Sequence, residues 1–383
     1  MSQFMSLMTT IIFSKSNATN LNYIAGIDGL RGIAVLSVML GHFGLPGFNV
    51  AGGYGVDVFF VLSGYLITNS LLSDLAAGRP IAHFYWNRVT RLLPALLVVC
   101  ASLFFIPAAY LTTYGASLNA LGALTWTTNW TRAFPVIGWA SYMAHTWSLS
   151  VEEQFYLIWP LILMTCHRFG KAVLRNAIFI LCAASLVWLI AMLLGGASEG
   201  RLYNGFDTRC YGILIGACLS LFPAGLGHRT IALAAFIGYF CLVFLVPWSA
   251  IGSVCVCLTA IVLIDTARTQ RAGGVVRAIL NSRPLVVVGV ISYSAYLWHW
   301  PIYYFSNNIL APKMFIAAFG IVISLVLAYM TWIFVETPAF AFRRSVSPSF
   351  KLRAGRMAFA VSLVSLVGGL VFFYCGFLTT APY

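Results

Sequence analysis

Apolar stretches long enough to cross a lipid bilayer recur along most of the chain, and they limit its fold more than any other feature. A helix needs about twenty mainly apolar residues to span a bilayer. Because 61% of the 383 residues are hydrophobic and only 8% are charged, a water-soluble fold of this size is excluded. The sequence predicts an all-α, polytopic membrane bundle with about ten or eleven transmembrane helices. The eleven predicted spans are 27–45, 56–74, 92–111, 148–166, 177–194, 210–222, 231–247, 252–265, 285–305, 314–335 and 357–377.

The distribution of positive charge along the chain predicts the orientation of these spans. The formal net charge is +13. With the N-terminus in the cytoplasm, seventeen Lys and Arg residues fall on the cytoplasmic side, four fall outside and Arg31 lies within the first span. Cytoplasmic loops are enriched in Lys and Arg, so we predict a cytoplasmic N-terminus and an outer C-terminus. The basic charge then reflects topology and anionic lipid rather than nucleic acid.

Three regions follow from this topology. We predict a cytoplasmic tail at 1–22, one membrane domain at 23–344, and a basic loop with an additional C-terminal span at 345–383. The apolar stretch 118–130 is too short to cross, so we place it on the outer face. The nine cysteines lack the paired spacing of a zinc site or of a disulfide framework. We therefore predict no metal.

The first span carries ionisable residues that a bilayer core disfavours, and such residues commonly serve function. Asp28 and Arg31 are three residues apart and can pair on one helix face. Arg31 and His42 are eleven residues apart, so they share a face about 16.5 Å apart along the helix axis. His42 is either a functional residue or a buried histidine bonded to a carbonyl. The alternative for Arg31 is a residue near the helix end whose long side chain carries its charge to the membrane interface.

Two further regions offer candidate ligands for a substrate. Asp57 opens the second span on the same outer side as His42, where it would orient an imidazole, pair with a cation or favour a helix N-terminus. Arg88 and Arg91 point the same way at the cytoplasmic start of the third span. A guanidinium pair suits a phosphorylated ligand arriving from the cytosol. The alternative is that Arg88 and Arg91 belong to the ordinary excess of positive charge on the cytoplasmic side.

The remaining candidates lie in the second half of the bundle. Ser150 and Glu153 have the spacing of a helix capping box. Glu152 has no such structural reason, so we predict that it binds a hydroxyl substrate or pairs with Arg209. His299 stands between two tryptophans, which favours an interfacial, structural role. We also predict a structural pair between Glu336 and a nearby arginine such as Arg343.

Taken together, these segments resemble the acyltransferase type 3 family of membrane O-acyltransferases over about residues 23–344. No single segment would be specific, but their order and spacing are. They are Gly-Leu-Arg-Gly at 29–32 with His42 after it, Gly-Val-Asp-Val-Phe-Phe-Val-Leu-Ser-Gly at 55–64, Arg-Val-Thr-Arg at 88–91, Trp-Ser-Leu-Ser-Val-Glu-Glu-Gln-Phe-Tyr at 147–156, Asp-Thr-Arg at 207–209, Ser-Tyr-Ser-Ala-Tyr-Leu-Trp-His-Trp-Pro at 292–301 and Val-Glu-Thr-Pro at 335–338.

The resemblance implies transfer of an acyl group, usually acetyl, from cytoplasmic acyl-coenzyme A to a hydroxyl of an outer acceptor such as a cell-surface polysaccharide or glycolipid. The resemblance also implies that the protein is located in a bacterial cytoplasmic membrane. By this resemblance His42 is the catalytic histidine, Arg31 its partner, and Arg88 and Arg91 the donor-binding pair.

Chemical reasoning from the residues adds further expectations. Histidine, with an ordinary pKa near 6.5, suits the role of a base that activates a hydroxyl. A nearby carboxylate, such as that of Asp28 or Asp57, would assist His42 in this role. We expect the acceptor to enter near Glu152. Whether His42 acts as a base or carries the acyl group stays open. The alternative function is a transporter or channel, because intramembrane His, Arg and Asp also mark ion paths. A non-catalytic assembly subunit is a third reading.

Overall fold

The computed structural model describes residues 23–45, 48, 51–134, 142–223, 225, 228–269, 274–306 and 312–380. These residues form helices joined by short turns, and no β-strand occurs among them. In chain order the first nine helices are α1 (Ala25–His42), α2 (Ala51–Ala76), α3 (Ile81–Ser102), α4 (Thr113–Leu124), α5 (Thr128–Ala133), α6 (Trp147–Arg168), α7 (Lys171–Leu194), α8 (Glu199–Asn204) and α9 (Phe206–Leu219). The rest are α10 (Arg229–Leu245), α11 (Ala250–Arg268), α12 (Val275–Leu280), α13 (Arg283–Val290), α14 (Ser292–Ser306), α15 (Lys313–Thr331), α16 (Thr337–Ser345) and α17 (Pro348–Thr380).

The all-helical prediction is confirmed, but the count of ten or eleven spans is not. Within the described ranges, six helices are long and apolar enough to cross a bilayer, or seven if α13 and α14 together form one span. The first and fourth predicted spans correspond to α1 and α6, which carry charged side chains in their first halves. The sixth and seventh correspond to α9 and α10, which have 14 and 17 residues. The helices are therefore near their predicted places, yet several are too polar or too short to pass as spans by themselves.

Two predicted features of the chain can be compared directly with these helices. The stretch 118–130 is divided between α4 and α5, with Trp126 between them at a φ of 58°, so it is not one continuous helix. The predicted span 285–305 is likewise divided, because α13 and α14 meet at an angle of 72°. This bend sets the direction of α14, which carries His299.

Close backbone contact holds the centre of the bundle together. A Cβ atom at Gly29 of α1 would collide with the carbonyl group of Leu280, and one at Gly64 of α2 would collide with that of Ile213 in α9. Small residues let membrane helices approach closely enough for extensive van der Waals packing. Gly64 therefore has a packing role. Helix α1 packs closely against α2 and α13, and α2 packs closely against α9.

Candidate functional site

Three arginines from two helices converge on one internal cavity, which we name the arginine cavity. Arg31 comes from α1, whereas Arg88 and Arg91 lie one turn apart on α3. The cavity has a volume of about 90 Å³. Its polar lining consists of Arg31, Ser63, Arg88, Arg91, Ser148, Glu152, Tyr156, Ser292, Tyr293 and Tyr296. A space with three guanidinium groups in its wall is suited to an anionic group.

Two of these arginines are held by ion pairs. Arg31 contacts Asp28 at 3.5 Å, so the local pair predicted from their spacing is confirmed. Arg88 donates to Glu153 at 3.2 Å, and its guanidinium carbon lies 3.8 Å from the centre of the Tyr156 ring. The Tyr156 ring and the Glu153 carboxylate together orient the Arg88 guanidinium group.

The capping box predicted for Ser150 and Glu153 is wrong. Helix α6 begins at Trp147, one turn earlier than a cap at Ser150 requires. Inside the helix, the Ser150 hydroxyl donates to the Thr146 carbonyl oxygen at 3.0 Å, and Glu153 is engaged by Arg88. A short 3₁₀ turn at Ala144–Thr146 leads directly into α6, which is why the serine lies past the helix start.

Glu152 faces the arginine cavity and does not pair with Arg209. Its carboxylate accepts hydrogen bonds from the Ser63 hydroxyl at 2.7 Å and from the Tyr156 phenol at 3.2 Å. Glu152 therefore lies among the predicted donor-binding arginines and not at a separate acceptor entrance, as the sequence had led us to expect. The two hydroxyl donors leave it placed to contact a ligand in that cavity.

Asp57 pairs with a cation and not with the imidazole of His42. Arg209 donates to it at 2.7 Å, and both side chains are only 1% exposed. The Ser253 hydroxyl donates to the other carboxylate oxygen at 2.6 Å. The guanidinium lies 5.4 to 5.5 Å from the ring centres of four aromatic residues, Phe60, Trp147, Tyr203 and Trp248. This buried pair connects α2, α9 and α11.

His42 instead contacts a second histidine, which the sequence had assigned to an interfacial belt. Nδ1 of His42 and Nε2 of His299 share a hydrogen bond of 3.0 Å. The two rings are nearly parallel, at 6°, and the edge of Trp300 packs against His42. His299 is fully buried. This burial against His42 does not fit the prediction of a structural residue in an interfacial aromatic belt.

A third histidine, His145, was missed by the sequence analysis. Its ring centre lies 5.3 Å from that of His299, in the 3₁₀ turn before α6. Burial, with the neighbouring His299 adding to it, lowers the pKa of His145 well below the ordinary value. In the sequence, the only indication of a functional role for His145 was its position two residues before Trp147, where the 147–156 motif begins. Within the described ranges, no group of three His, Cys, Asp or Glu side chains is placed to hold a metal ion.

Tyr296 joins the arginine cavity to the histidine cluster formed by His42, His145 and His299. It lines the cavity, and its ring centre lies 5.3 Å from that of His299. Its hydroxyl donates to the His145 carbonyl at 2.7 Å and lies 2.6 Å from the Ser148 hydroxyl. One side chain therefore forms a wall common to both groups of candidate residues.

Glu336 also has a different partner from the one predicted. It accepts a hydrogen bond from Ser294 of α14, whereas Arg343 donates to the Asn87 carbonyl at 3.4 Å. Glu336 lies in a five-residue π-helical turn, Trp332–Glu336. That turn places its carboxylate inside the bundle beside α14.

Comparison with known proteins now identifies the family. A family model described as an acyltransferase domain matches residues 24–334. The chain belongs to this acyltransferase family. Membership confirms the resemblance noted from the sequence and favours an acyltransferase over a transporter or channel. No solved structure matches the chain significantly.

Several relatives with assigned names are similar over most of the chain. Peptidoglycan O-acetyltransferase OatA of Listeria monocytogenes is 29% identical over 351 residues, which cover 82% of this chain and 56% of that protein. The putative peptidoglycan O-acetyltransferase YrhL of Bacillus subtilis is 32% identical over 357 residues, 82% of this chain and 55% of that protein. O-acetyltransferase OatA of Staphylococcus aureus is 30% identical, with 82% and 57% covered. The chain thus spans little more than half the length of these relatives.

Proposed function

We propose that this protein transfers an acetyl group from cytoplasmic acetyl-coenzyme A to a hydroxyl of a cell-wall or cell-surface polysaccharide. One observation carries the proposal: a cavity lined by Arg31, Arg88 and Arg91 shares the wall formed by Tyr296 with the cluster that contains His42. An acyl transfer between two substrates needs a site for each and a base where they meet.

The donor is the substrate that the arginines suit. The phosphates of a coenzyme A thioester are anionic, and guanidinium groups bind phosphate through two parallel hydrogen bonds. A cavity of about 90 Å³ is smaller than the roughly 300 to 1,000 Å³ of typical small-molecule sites. It therefore has room for the reacting end of the donor but not for its nucleotide.

A second space beside the cavity accommodates the rest of the donor. The cleft between α3 and α17 has a volume of about 730 Å³. Arg88 lines both this cleft and the arginine cavity, and Arg353 of α17 lies in the wall of the cleft. In the proposed orientation the cleft begins at the cytoplasmic ends of α3 and α17. Arg353 would bind a phosphate of the nucleotide there, and the thioester arm would pass Arg88.

His42 acts as the base in this scheme. The acceptor oxygen forms a bond to the thioester carbonyl carbon while the hydroxyl proton moves to His42. The bond from carbon to sulfur then breaks, and the proton goes to the coenzyme A thiolate. The products are the O-acetyl ester and free coenzyme A. Histidine suits this transfer because its neutral imidazole can accept a proton and release it again.

The acceptor is proposed from the relatives, of which two are named for action on peptidoglycan. In the orientation predicted from the loop charges, the end of α1 that carries His42 lies toward the outer side. A polysaccharide hydroxyl would approach there, on the opposite side of Tyr296 from the arginines.

The test is transfer by the purified chain in lipid vesicles, with isotopically labelled acetyl-coenzyme A and soluble peptidoglycan fragments. We expect labelled O-acetyl esters on the sugar, release of coenzyme A in equal amount, and loss of both with His42→Ala. His228→Ala is the matched control because this exposed histidine lies far along the chain, where it contacts Thr230. Full transfer by His42→Ala, or solute movement without consumption of donor, would overturn the proposal.

A further inference from the structure

The hydrogen bonds around His299 determine which nitrogen of His42 can act as a base. A neutral imidazole has one N–H donor and one nitrogen with a free lone pair, and its partners decide which is which. Nδ1 of His299 lies 2.5 Å from the Tyr296 carbonyl oxygen. A carbonyl oxygen only accepts, so Nδ1 of His299 carries the proton. Nε2 of a neutral His299 is then an acceptor.

The same logic passes to His42. Its Nδ1 contacts Nε2 of His299 at 3.0 Å, and because that nitrogen accepts, Nδ1 of His42 donates. His42 is thereby fixed with its proton on Nδ1 and its lone pair on Nε2. The near-parallel rings and the edge contact with Trp300, at 4.7 Å between ring centres, hold the imidazole in this orientation.

Nε2 of His42 lies close to the backbone of Gly52. Gly52 lies in the first turn of α2, and a Cβ atom at this position would stand 2.9 Å from Nε2. The side chain of any other residue at position 52 would press against Nε2. Glycine at position 52 therefore leaves the nitrogen with the lone pair without contact from a side chain at that position.

We propose that His299 is a positioning residue that holds His42 in the Nδ1-protonated tautomer, and that Gly52 keeps the basic Nε2 accessible to the acceptor hydroxyl. The catalytic consequence rests on the proposed function, whereas the tautomer does not. When Nε2 takes the hydroxyl proton, Nδ1–H stays bonded to His299, which supports the imidazolium as a neutral acceptor. A backbone carbonyl thus orients the base through an intervening histidine.

The tautomer is tested by ¹⁵N NMR of the full chain with labelled histidine, with the His42 signals assigned by their loss in His42→Asn. We expect Nδ1 of His42 to be protonated in the unaltered protein and the preference to be lost in His299→Ala. His299→Gln should restore much of it, because the amide oxygen can accept from Nδ1. Protonation of His42 at Nε2 in the unaltered protein would overturn the inference.

Kinetics test the consequence. Removing the partner that orients a metal-ligating histidine commonly costs about 10- to 100-fold in activity, and we expect the same order for the base His42. We expect His299→Ala to lower kcat by about that factor with an unchanged KM for the donor, and His299→Gln to recover part of it. Gly52→Ala should lower kcat and raise the acceptor KM.

The matched control is Trp298→Phe, which removes a hydrogen bond from the preceding residue to Thr331 and should leave kcat within about twofold. Equal kcat in His299→Ala and the unaltered protein, both folded, would contradict the positioning role. If the NMR result holds while no variant or unaltered protein transfers acetyl, the proposed function fails and the tautomer assignment stands.

Discussion

Replacement of Asp57 by alanine is expected to lower the free energy of unfolding by about 3 kcal/mol, because it leaves the Arg209 guanidinium buried without its carboxylate. Both side chains are 1% exposed, and the pair distance is 2.7 Å. Breaking a buried ion pair by removing one partner costs about 3 to 5 kcal/mol. We expect the lower end of that range, since Ser253 still accepts from Arg209 at 2.9 Å.

The double variant Asp57→Ala with Arg209→Met separates the unpaired charge from simple loss of packing. Removing both charges is often close to neutral, because the desolvation cost of each disappears with it. We therefore expect the double variant to be more stable than Asp57→Ala alone. Four aromatic rings surround the guanidinium, and they provide an apolar environment for a methionine.

The assay is equilibrium unfolding in detergent, followed by circular dichroism. Asp74→Ala serves as the control because Asp74 pairs with Arg79, whose side chain is 46% exposed. An exposed pair contributes about 0 to 1 kcal/mol. If Asp57→Ala costs no more than Asp74→Ala, or if the double variant is as unstable as the single one, the buried-pair reasoning is refuted.

Three further predictions follow from the cavity, the cleft and the helix contacts. Replacing Arg88 and Arg91 with glutamine should weaken acetyl-coenzyme A binding at least about tenfold, measured by calorimetry, since a hydrogen bond to a charged group contributes about 1.5 to 3 kcal/mol. Unchanged affinity would mean that both arginines serve only as positive charge on the cytoplasmic side of the membrane. Arg353→Gln should weaken binding of acetyl-coenzyme A but not of a short thioester without the nucleotide, and equal effects on both would exclude it from the nucleotide site. Gly64→Ala should destabilise the fold by about 1 to 3 kcal/mol through overpacking, whereas Gly368→Ala, which meets no atom within 4 Å, should be nearly neutral in the same unfolding assay.

The sequence predicted those features that depend on neighbours within one helix. Arg31 and Asp28 are three residues apart, and they pair as their spacing requires. Arg31 and His42 lie on the single continuous helix α1. The close contact at Gly64 was likewise predictable, because glycine in an apolar helix favours packing against a neighbour.

Contacts between helices far apart in the chain were not predictable from spacing. His42 and His299 are separated by 257 residues, and Asp57 and Arg209 by 152. Periodicity shows which face of a helix is polar but not which helix it will meet. Several possible partners existed for each charged residue, so Arg209 was one of two partners predicted for Glu152, although Arg209 pairs with Asp57. A multiple-sequence comparison of paired substitutions would be the kind of signal that resolves such a choice.

The glycines and the charged residues of α1 and α2 serve one physical requirement. A charged side chain inside a bilayer needs partners and must be screened from lipid, which demands that helix backbones approach closely. Gly29 and Gly55 allow such an approach, because a Cβ at either would meet a backbone carbonyl oxygen of the neighbouring helix. These contacts fix α1 near Arg31 and along its middle, while His299 fixes its end at His42. The small residues of the motif therefore determine how closely α1 packs against its neighbours, whereas the rise of α1 itself separates Arg31 from His42.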